Sequence, residues 1–365
     1  MAFTGTDNST NLGPALSQLF QKELVFQYNL VAHTSQNIPA EPIQQGNAKN
    51  VAWTVLLNDS YNGFGQTGSA YNEGTAFNVA TEAGAPSIVP CTLPWGLYRD
   101  GFSFTDQEVD EAAVSVGSAV GASIGIVRTK SKVSVEVLGS LSNVDLWTGT
   151  GSATTGAYVG APNAIGFTTA FAASGTYASV NVANYPSWAA NVFANGGVAR
   201  ALSFDLMSTI ETTIFNACND ECDLISNSSN VYRKYELLFL PNTRYTNGEA
   251  TLKKGTLKYG ESRMIRDKDA PEANGKGVQA WINTKYVSRA FLPSTELSRG
   301  DVFKVEDKEL VSSNGGDVMT PLALPVRIIP LARLGDYETW MVKTTWQLKV
   351  TRRNAQAYVS DLATV

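Results

Sequence analysis

Histidine is nearly missing from this sequence, and its scarcity removes whole classes of chemistry. Among 365 residues there is one, His33. A His-built metal centre therefore lacks ligands, and Ser-His-Asp or Cys-His catalysis would have to run through that single side chain. No nucleophile stands near it in sequence, so His33 reads as an ordinary polar residue. Cysteine is equally sparse: Cys91, Cys218 and Cys222 are too few, and odd in number, for a disulfide framework. Charged residues make up only 17% of the chain, against roughly 25% in ordinary soluble domains. No apolar run reaches the roughly 18 residues that mark a bilayer-spanning helix. The opening MAFTGTDNST has neither the basic nor the apolar region of a signal peptide, so synthesis in the cytoplasm is expected.

What is present argues for a folded chain with much of its surface hidden. Hydrophobic residues reach 43%, with 31 Gly, 14 Tyr and 7 Trp, which is not the composition of a disordered segment. The length suggests about two domains. A net charge of -5 speaks against general binding of polyanions. That charge is unevenly spread: residues 1–228 carry 7 Lys+Arg and 18 Asp+Glu, whereas residues 229–365 carry 21 and 15. The halves are thus acidic and basic, which suits complementary faces within one subunit or between copies. Between Asp145 and Arg200 lie 54 residues without a charge. Its aromatics, Tyr158, Phe167, Phe171, Tyr177, Tyr185 and Trp188, favour an ordered segment buried against something, such as a subunit interface, over a low-complexity loop.

The pattern of elements is mixed. Residues 14–31 read as a helix with Pro14 in its first turn, followed by a polar extended arm. NVAWTVLLND (50–59) and AFNVAT (76–81) read as two strands around a long polar tip, a projecting hairpin. SIVPCTL and GLYRDGFSF read as short strands. Thr105-x-x-Glu108 is a capping box, and apolar residues then recur at Val109, Ala113, Val116, Val120, Ile124, Val127, Val135 and Leu138. That spacing predicts one helix over 105–139, about 50 Å long, weakened by Gly117, Gly121 and Gly125. Residues 199–219 form a second amphipathic helix through Leu202, Leu206, Ile210 and Ile214. YELLFLPNTRY (235–245) reads as a buried strand stopped by Pro241, and TWMVKTTWQLKVTRR (339–353) as a period-two strand pair.

No motif rises to catalysis. Gly149-Thr-Gly151 is half a dinucleotide fingerprint without its third glycine, and no P-loop is present. Cys218-x3-Cys222 has no further metal ligands nearby, so small buried residues are the reading. Asp267, Asp269 and Glu272 lack the spacing of a calcium loop and stand among Arg266 and Lys268, which suggests a solvated loop suited to an interface. Asp106, Glu108, Asp110 and Glu111 are explained by a helix dipole. Arg263, Arg266, Lys268, Lys276, Lys285 and Arg289 form a loose basic run, with Trp281 and Tyr286 interleaved. Its interspersed acids favour ion pairs over nucleic-acid contact.

The order of these elements resembles the major capsid protein of tailed bacteriophages, the Hong Kong 97-type fold. LFQKELVFQYNLVAHT (19–34) looks like its N-terminal helix and arm, residues 46–82 like its E-loop, and LPWGLYRDGFSFTDQEVDEAA (93–113) like the entry to its spine helix. GSLSNVDLWTG (139–149) looks like the exit into the A-domain, and YELLFLPNTRY like an A-domain strand. The resemblance implies an α+β fold divided into an N-arm (1–45), an E-loop hairpin (46–82), a P-domain with a long spine helix (83–142), an A-domain (143–330), and C-terminal P-domain strands (331–365). It implies a virion structural protein without catalytic residues, cofactors or metal, self-assembling into hexamers and pentamers of an icosahedral head that encloses double-stranded DNA without sequence-specific binding. Its partners would be copies of itself, scaffolding and portal proteins and a decoration protein, with no membrane. Lys49, Tyr61, Phe64, Tyr71, Glu73, Arg263, Arg266 and Asp267 are the intersubunit contacts it suggests. Two departures stand out. Only a short arm precedes the hairpin, so a separate scaffolding protein is implied. Lys49, the only lysine in residues 46–82, sits at the hairpin base and not its tip, which speaks against covalent cross-linking. Two other readings remain: a tail tube or fibre protein, and a carboxylate-dependent hydrolase using pairs such as Asp205 and Glu211, which would need to lie about 5–10 Å apart.

Overall fold

The computed structural model describes residues 33–43, 49–57, 87–151, 163–239, 257–291, 326–331, 333 and 335–364. The expected N-terminal helix at 14–31 and most of the E-loop lie outside them. In chain order the strands are β1 (Ala40–Pro42), β2 (Val51–Leu57), β3 (Ser87–Leu93), β4 (Gly96–Thr105), β5 (Thr176–Tyr177), β6 (Val180–Asn181), β7 (Asn191–Phe193), β8 (Leu224–Ser228), β9 (Lys258–Tyr259), β10 (Ser262–Asp267), β11 (Lys276–Ile282), β12 (Val287–Phe291), β13 (Arg327–Pro330), β14 (Tyr337–Val350) and β15 (Ala357–Ala363). The helices are α1 (His33–Asn37), α2 (Asp106–Val116), α3 (Ala119–Thr148), α4 (Phe167–Ala170), α5 (Phe204–Cys218) and α6 (Ser229–Phe239). The chain divides into two compact units, one of Met1–Val31, Tyr98–Ser140 and Ser294–Thr344, the other of Ala32–Leu97, Leu141–Pro293 and Thr345–Val365.

In the first unit the helix predicted over 105–139 is two helices. Thr105 caps α2, its hydroxyl accepting from the Glu108 N–H at 3.2 Å. Gly117 ends it in the left-handed region, φ 73°, where a residue without Cβ is at no steric disadvantage. A continuous helix would hold residues 108 and 130 about 33 Å apart. Instead Lys130 Nζ donates to Glu108 Oε2 at 2.9 Å and to the Ser103 carbonyl at 2.9 Å. The chain therefore reverses at Gly117–Ser118, and the long helix is α3, 30 residues and about 45 Å, running nine residues past the predicted end. Its β-branched residues do not prevent this, because burial of Ser131, Ser134, Val135, Leu138 and Ser142 at spacings of three and four outweighs propensity. β14 replaces the expected strand pair with one 14-residue strand. Its period-two pattern buries Trp340, Val342 and Thr344 here, with β13 antiparallel from Pro330↔Trp340 to Arg327↔Lys343.

The second unit is built on a six-stranded sheet, order β7-β15-β11-β8-β10-β9. Strand β8 is buried throughout and lies between antiparallel β11 and parallel β10. Polar groups in this centre satisfy one another: Gln279 Nε2 donates to Asn227 Oδ1 at 2.6 Å, Trp281 Nε1 to Gln279 Oε1 at 2.9 Å, and Asn227 Nδ2 to the Ile265 carbonyl at 3.1 Å. Helix α5 begins at Phe204 with Ser203 as N-cap, later than the expected 199, and presents Met207, Ile210, Ile214 and Cys218 to the core; of the predicted face Ile210 and Ile214 are buried, Leu206 is partly buried, and Leu202 is buried ahead of the helix. The buried strand expected at 235–245 is instead the end of α6. Val231, Tyr232 and Tyr235 are buried and Leu238 packs beside them, a helical spacing invisible to a reading that began at Tyr235. Residues 240–245 lie outside the described part.

Two further expectations meet the structure here. Strand β2 pairs with β3, in register from Val51↔Leu93 to Leu57↔Ser87; the expected second strand, AFNVAT, lies outside the described residues. The polar arm is partly structured: α1 is helical, and β1 runs parallel to β12 from Ala40↔Arg289 to Pro42↔Phe291. In the same unit β12 pairs with the second half of β14, from Val287↔Val350 to Phe291↔Trp346.

The half-fingerprint glycine has a packing role. At the end of α3 the Gly149 N–H donates to the Asp145 carbonyl at 2.8 Å, and the Gly166 N–H donates to Gly149 at 2.9 Å. A Cβ on Gly149 would stand 2.6 Å from the Asp145 oxygen, and one on Gly166 2.5 Å from it. Gly125 faces open space on the same helix. Gly166→Ala is therefore expected to destabilise by about 1–3 kcal/mol through overpacking, whereas Gly125→Ala should stabilise by about 0.5–1 kcal/mol. Urea unfolding followed by circular dichroism checks both; equal effects would contradict the packing assignment.

Candidate functional site: a buried polar junction and the surfaces around it

The chemistry-bearing residues of the second unit converge on a carboxylate. Asp267 ends β10 and is fully buried. Its Oδ1 accepts from Asn143 Nδ2 at 2.9 Å and from the Asp269 N–H at 2.9 Å. Its Oδ2 accepts from Asn143 Nδ2 at 2.9 Å, Trp147 Nε1 at 3.0 Å, the Thr34 N–H at 3.3 Å and the Thr34 hydroxyl. With that proton committed, the 2.6 Å contact between the Thr34 and Ser226 hydroxyls has Ser226 donating. Asn143 and Trp147 are four apart on α3 and so share a face. The expected interface role of Asp267 is thus corrected: its lone pairs are used inside the subunit, holding α1, α3, β8 and β10 together.

A buried cation lies on the other side of α1. Arg289 of β12 is 1% exposed, donating from Nη1 to Ser35 Oγ at 2.8 Å and from Nε to the Ile38 carbonyl at 3.3 Å. Ser35 N–H in turn donates to Asn143 Oδ1 at 3.0 Å. Burial lowers the Arg289 pKa to about 9, which still leaves it charged at neutral pH. Arg289 therefore belongs to the core and not to a basic surface run.

The long uncharged stretch closes around a second buried cation. Arg353 is 1% exposed. Its Nε donates to the Ala170 carbonyl at 2.7 Å, and Nη2 to Ala172 at 2.7 Å and Thr169 at 3.4 Å. Its guanidinium carbon lies 5.1 Å from the Tyr177 ring centre and 5.6 Å from that of Trp188, within cation–π range. Phe167 and Phe171 stack beside them, 4.9 Å between centres. This part of the stretch is an internal aromatic core; Tyr185 is half-buried and Tyr158 lies outside the described residues.

The remaining expected contacts divide clearly. Lys49 is exposed in the turn before β2, and Arg263 and Arg266 are exposed on β10. Arg263 donates to Asn37 Oδ1, and Arg266 Nε to Ser229 Oγ at 3.3 Å. Tyr61, Phe64, Tyr71 and Glu73 lie outside the described residues. Asp205 and Glu211 are six residues apart on α5, about 120° around the helix, so they do not converge. Cys218 and Cys222 are buried, their thiols donating to the carbonyls of Asp220 and Ala355. The surface that sequence reading missed is on the β2–β3 ribbon. Leu56 (47% exposed) stands directly opposite Ile88 (72% exposed), an apolar cross-strand pair facing outward. Alternation along SIVPCTL carries that signal.

No protein-family model matches the sequence, and no curated protein matches it either. The likeness is structural and spans more than nine-tenths of the chain. The cyanophage A-1(L) capsid subunit superposes with a TM-score of 0.65 at 17% identity, covering 93% of this chain and 95% of that one. The capsid of Myoviridae phage XM1 gives 0.53 at 10% identity, with 93% and 95% covered. The holo-SrpI encapsulin complex of Synechococcus elongatus gives 0.52 at 10% identity, with 96% and 95% covered. The chain has the α+β capsid fold of the Hong Kong 97 type.

Removing the junction carboxylate should be costly, because several buried donors lose their acceptor together. Asp267→Ala is expected to destabilise by about 3–5 kcal/mol, and Trp147→Phe, which removes one donor, by about 1 kcal/mol. The double mutant should fall well short of the sum, since the tryptophan bond is already lost. Chemical denaturation of the four proteins measures this; strict additivity would contradict a shared network.

Proposed function

We propose that this chain is the major capsid protein of a tailed bacteriophage. The supporting observation is the match to a phage capsid subunit over 93% of this chain and 95% of the other. Its work is structural: copies assemble into hexamers and pentamers of an icosahedral head that encloses double-stranded DNA, without catalysis or a cofactor. Residues 46–82 act as the E-loop, with Lys49, Tyr61, Phe64, Tyr71 and Glu73 meeting a neighbour, and Arg263 and Arg266 form a second contact. The P-domain takes 83–142 and the C-terminal strands, and the A-domain follows from 143. Scaffolding and portal proteins guide assembly, and a decoration protein reinforces the shell in place of a covalent cross-link. The protein is made in the host cytoplasm and ends in the virion.

The physical features agree with this role. An exposed apolar pair on a two-stranded ribbon has little to gain in a monomer, and becomes useful when a neighbour covers it. Opposite charge in the two halves favours head-to-tail, ring-closing contacts over self-symmetric ones. A net charge of -5 suits a wall that surrounds DNA without gripping it. An encapsulin-type shell is the second reading, favoured by the Synechococcus likeness; the nucleic-acid content of purified particles separates the two.

Light scattering after size-exclusion chromatography, followed by negative-stain microscopy, tests the proposal. Rings of five or six subunits or closed shells are expected. A double substitution Leu56→Glu, Ile88→Glu should leave the circular dichroism spectrum unchanged and shift the population to smaller species. Long tubes of uniform bore, or a monomer at every concentration and with scaffold added, would overturn it.

A further inference from the structure

Helix α5 carries an outer face that a subunit standing alone does not need. Among its exposed positions only Asp205 is ionisable; the others include Thr209, Thr212, Ala217 and Phe215, the last 46% exposed. Helix α6 of the same unit turns Arg233 outward, as a solvated helix usually does. The threonines of α5 spend their donors on the helix itself. Thr209 Oγ1 donates to the Asp205 carbonyl at 2.9 Å, and Thr213 Oγ1 to the Thr209 carbonyl at 2.7 Å. Thr209, Thr213 and Ala217, spaced by four, form one row along the helix. That row ends on a cavity of about 450 Å³, whose walls include Ala217, Val55, Leu56, Leu57 and Trp188. Arg352 and Arg353 line it as well, but they donate within the subunit. Arg352 serves the Cys218 carbonyl at 2.7 Å and the Tyr286 hydroxyl at 3.4 Å, and Arg353 the Ala170 and Ala172 carbonyls, both at 2.7 Å. What the cavity offers a partner is its apolar wall. Leu56, part of that wall, stands opposite Ile88 on the ribbon. A surface poor in charge thus runs from α5 across the cavity to the exposed ribbon pair.

We infer that α5, the cavity and the ribbon pair form one contact surface, and that a second copy of this chain covers it. Size argues for that occupant. A 15-residue helix presents a face about 22 Å long and about 10 Å wide, roughly 200 Å², whereas a stable interface buries about 800 Å² on each partner. The helix face falls short of that area alone, and so does a ribbon patch of two residues. The occupant therefore spans both, which a folded subunit does. Charge sets the chemistry of the mating surface: a carboxylate or ammonium pressed against α5 would be buried unpaired, so the facing surface is uncharged too. The choice of a second copy rests on the shell reading; the continuity of α5 with the ribbon does not.

The test uses the full chain and two arms. In the first, Thr212→Arg and Phe215→Arg are combined and compared with the unaltered chain by circular dichroism, light scattering and negative-stain microscopy. Both positions are exposed, so the spectrum should be unchanged. The fraction of chains in rings or shells should fall about tenfold or more, because each guanidinium would be buried unpaired. A folded variant that assembles as readily as the unaltered chain would overturn the contact. The second arm needs no disruptive change: a benzophenone maleimide is attached to Thr212→Cys, the three native thiols being buried. Isotope-labelled and unlabelled chains are then assembled together and irradiated. Cross-links between differently labelled chains are expected. Cross-links confined to one chain would mean that another segment of the same chain covers α5, and no cross-links that only solvent does; either result overturns the inference. An unaltered chain that stays monomeric under every condition would refute the shell reading, and the second copy with it. Shells formed by unaltered and substituted chains alike would refute the α5 contact and leave the shell reading standing.

Discussion

The carboxylate of Asp267 is the constraint from which the second unit is organised. Three segments distant in sequence supply its surroundings, Thr34 from α1, Asn143 and Trp147 from α3, and Ser226 from β8 through Thr34, together with Asp269 from the chain that follows. A buried carboxylate without donors is untenable, so these segments are held to one geometry or none. Apolar packing alone tolerates slippage; a fully satisfied polar network specifies a register. Arg289 repeats the logic on the far side of α1, joined to Asn143 through Ser35. The short helix α1 thus takes its place from two buried charges of opposite sign and not from its own five residues, which are far below the length of a self-sustaining helix.

Two glycine sites set the chain path, one within each unit. At Gly117 a left-handed C-cap lets the chain reverse, and the Lys130–Glu108 contact holds the reversal. At Gly149 and Gly166 two backbones approach closely enough to exclude any side chain, which lets the chain leaving α3 turn directly into the aromatic core that begins at Phe167. The two cases differ physically. Gly117 is needed for its dihedral angle and faces open space, while Gly149 and Gly166 are needed for proximity. Only the second kind is intolerant of alanine purely on grounds of volume.

The legible part of the sequence was whatever periodicity alone determines. The Thr105 cap, the core face of α5 and the even-numbered burial along β14 follow from spacing and need no tertiary partner. What was illegible depends on contacts between distant segments. The same apolar spacing fits one long helix or two reversed ones, and only the Glu108–Lys130 contact distinguishes them. The end of α6 reads as a strand when its window starts at Tyr235, because Tyr-Glu-Leu-Leu-Phe satisfies both periods. Asp267 looked like a surface acid in a charged loop, since residue type says nothing of the donors that gather around it. Arg289 and Arg353 sit in stretches rich in Lys and Arg, and their burial has no local signature.

The longest uncharged stretch of the chain is therefore not free of charge in space. Thr169, Ala170, Ala172, Tyr177 and Trp188 enclose Arg353, a cation supplied from the C-terminal, basic part of the chain. An uncharged segment is well suited to this, because its carbonyls and ring faces solvate a guanidinium without neutralising it. Within this chain the Arg353 charge is met by backbone dipoles and ring faces and by no carboxylate among the described residues.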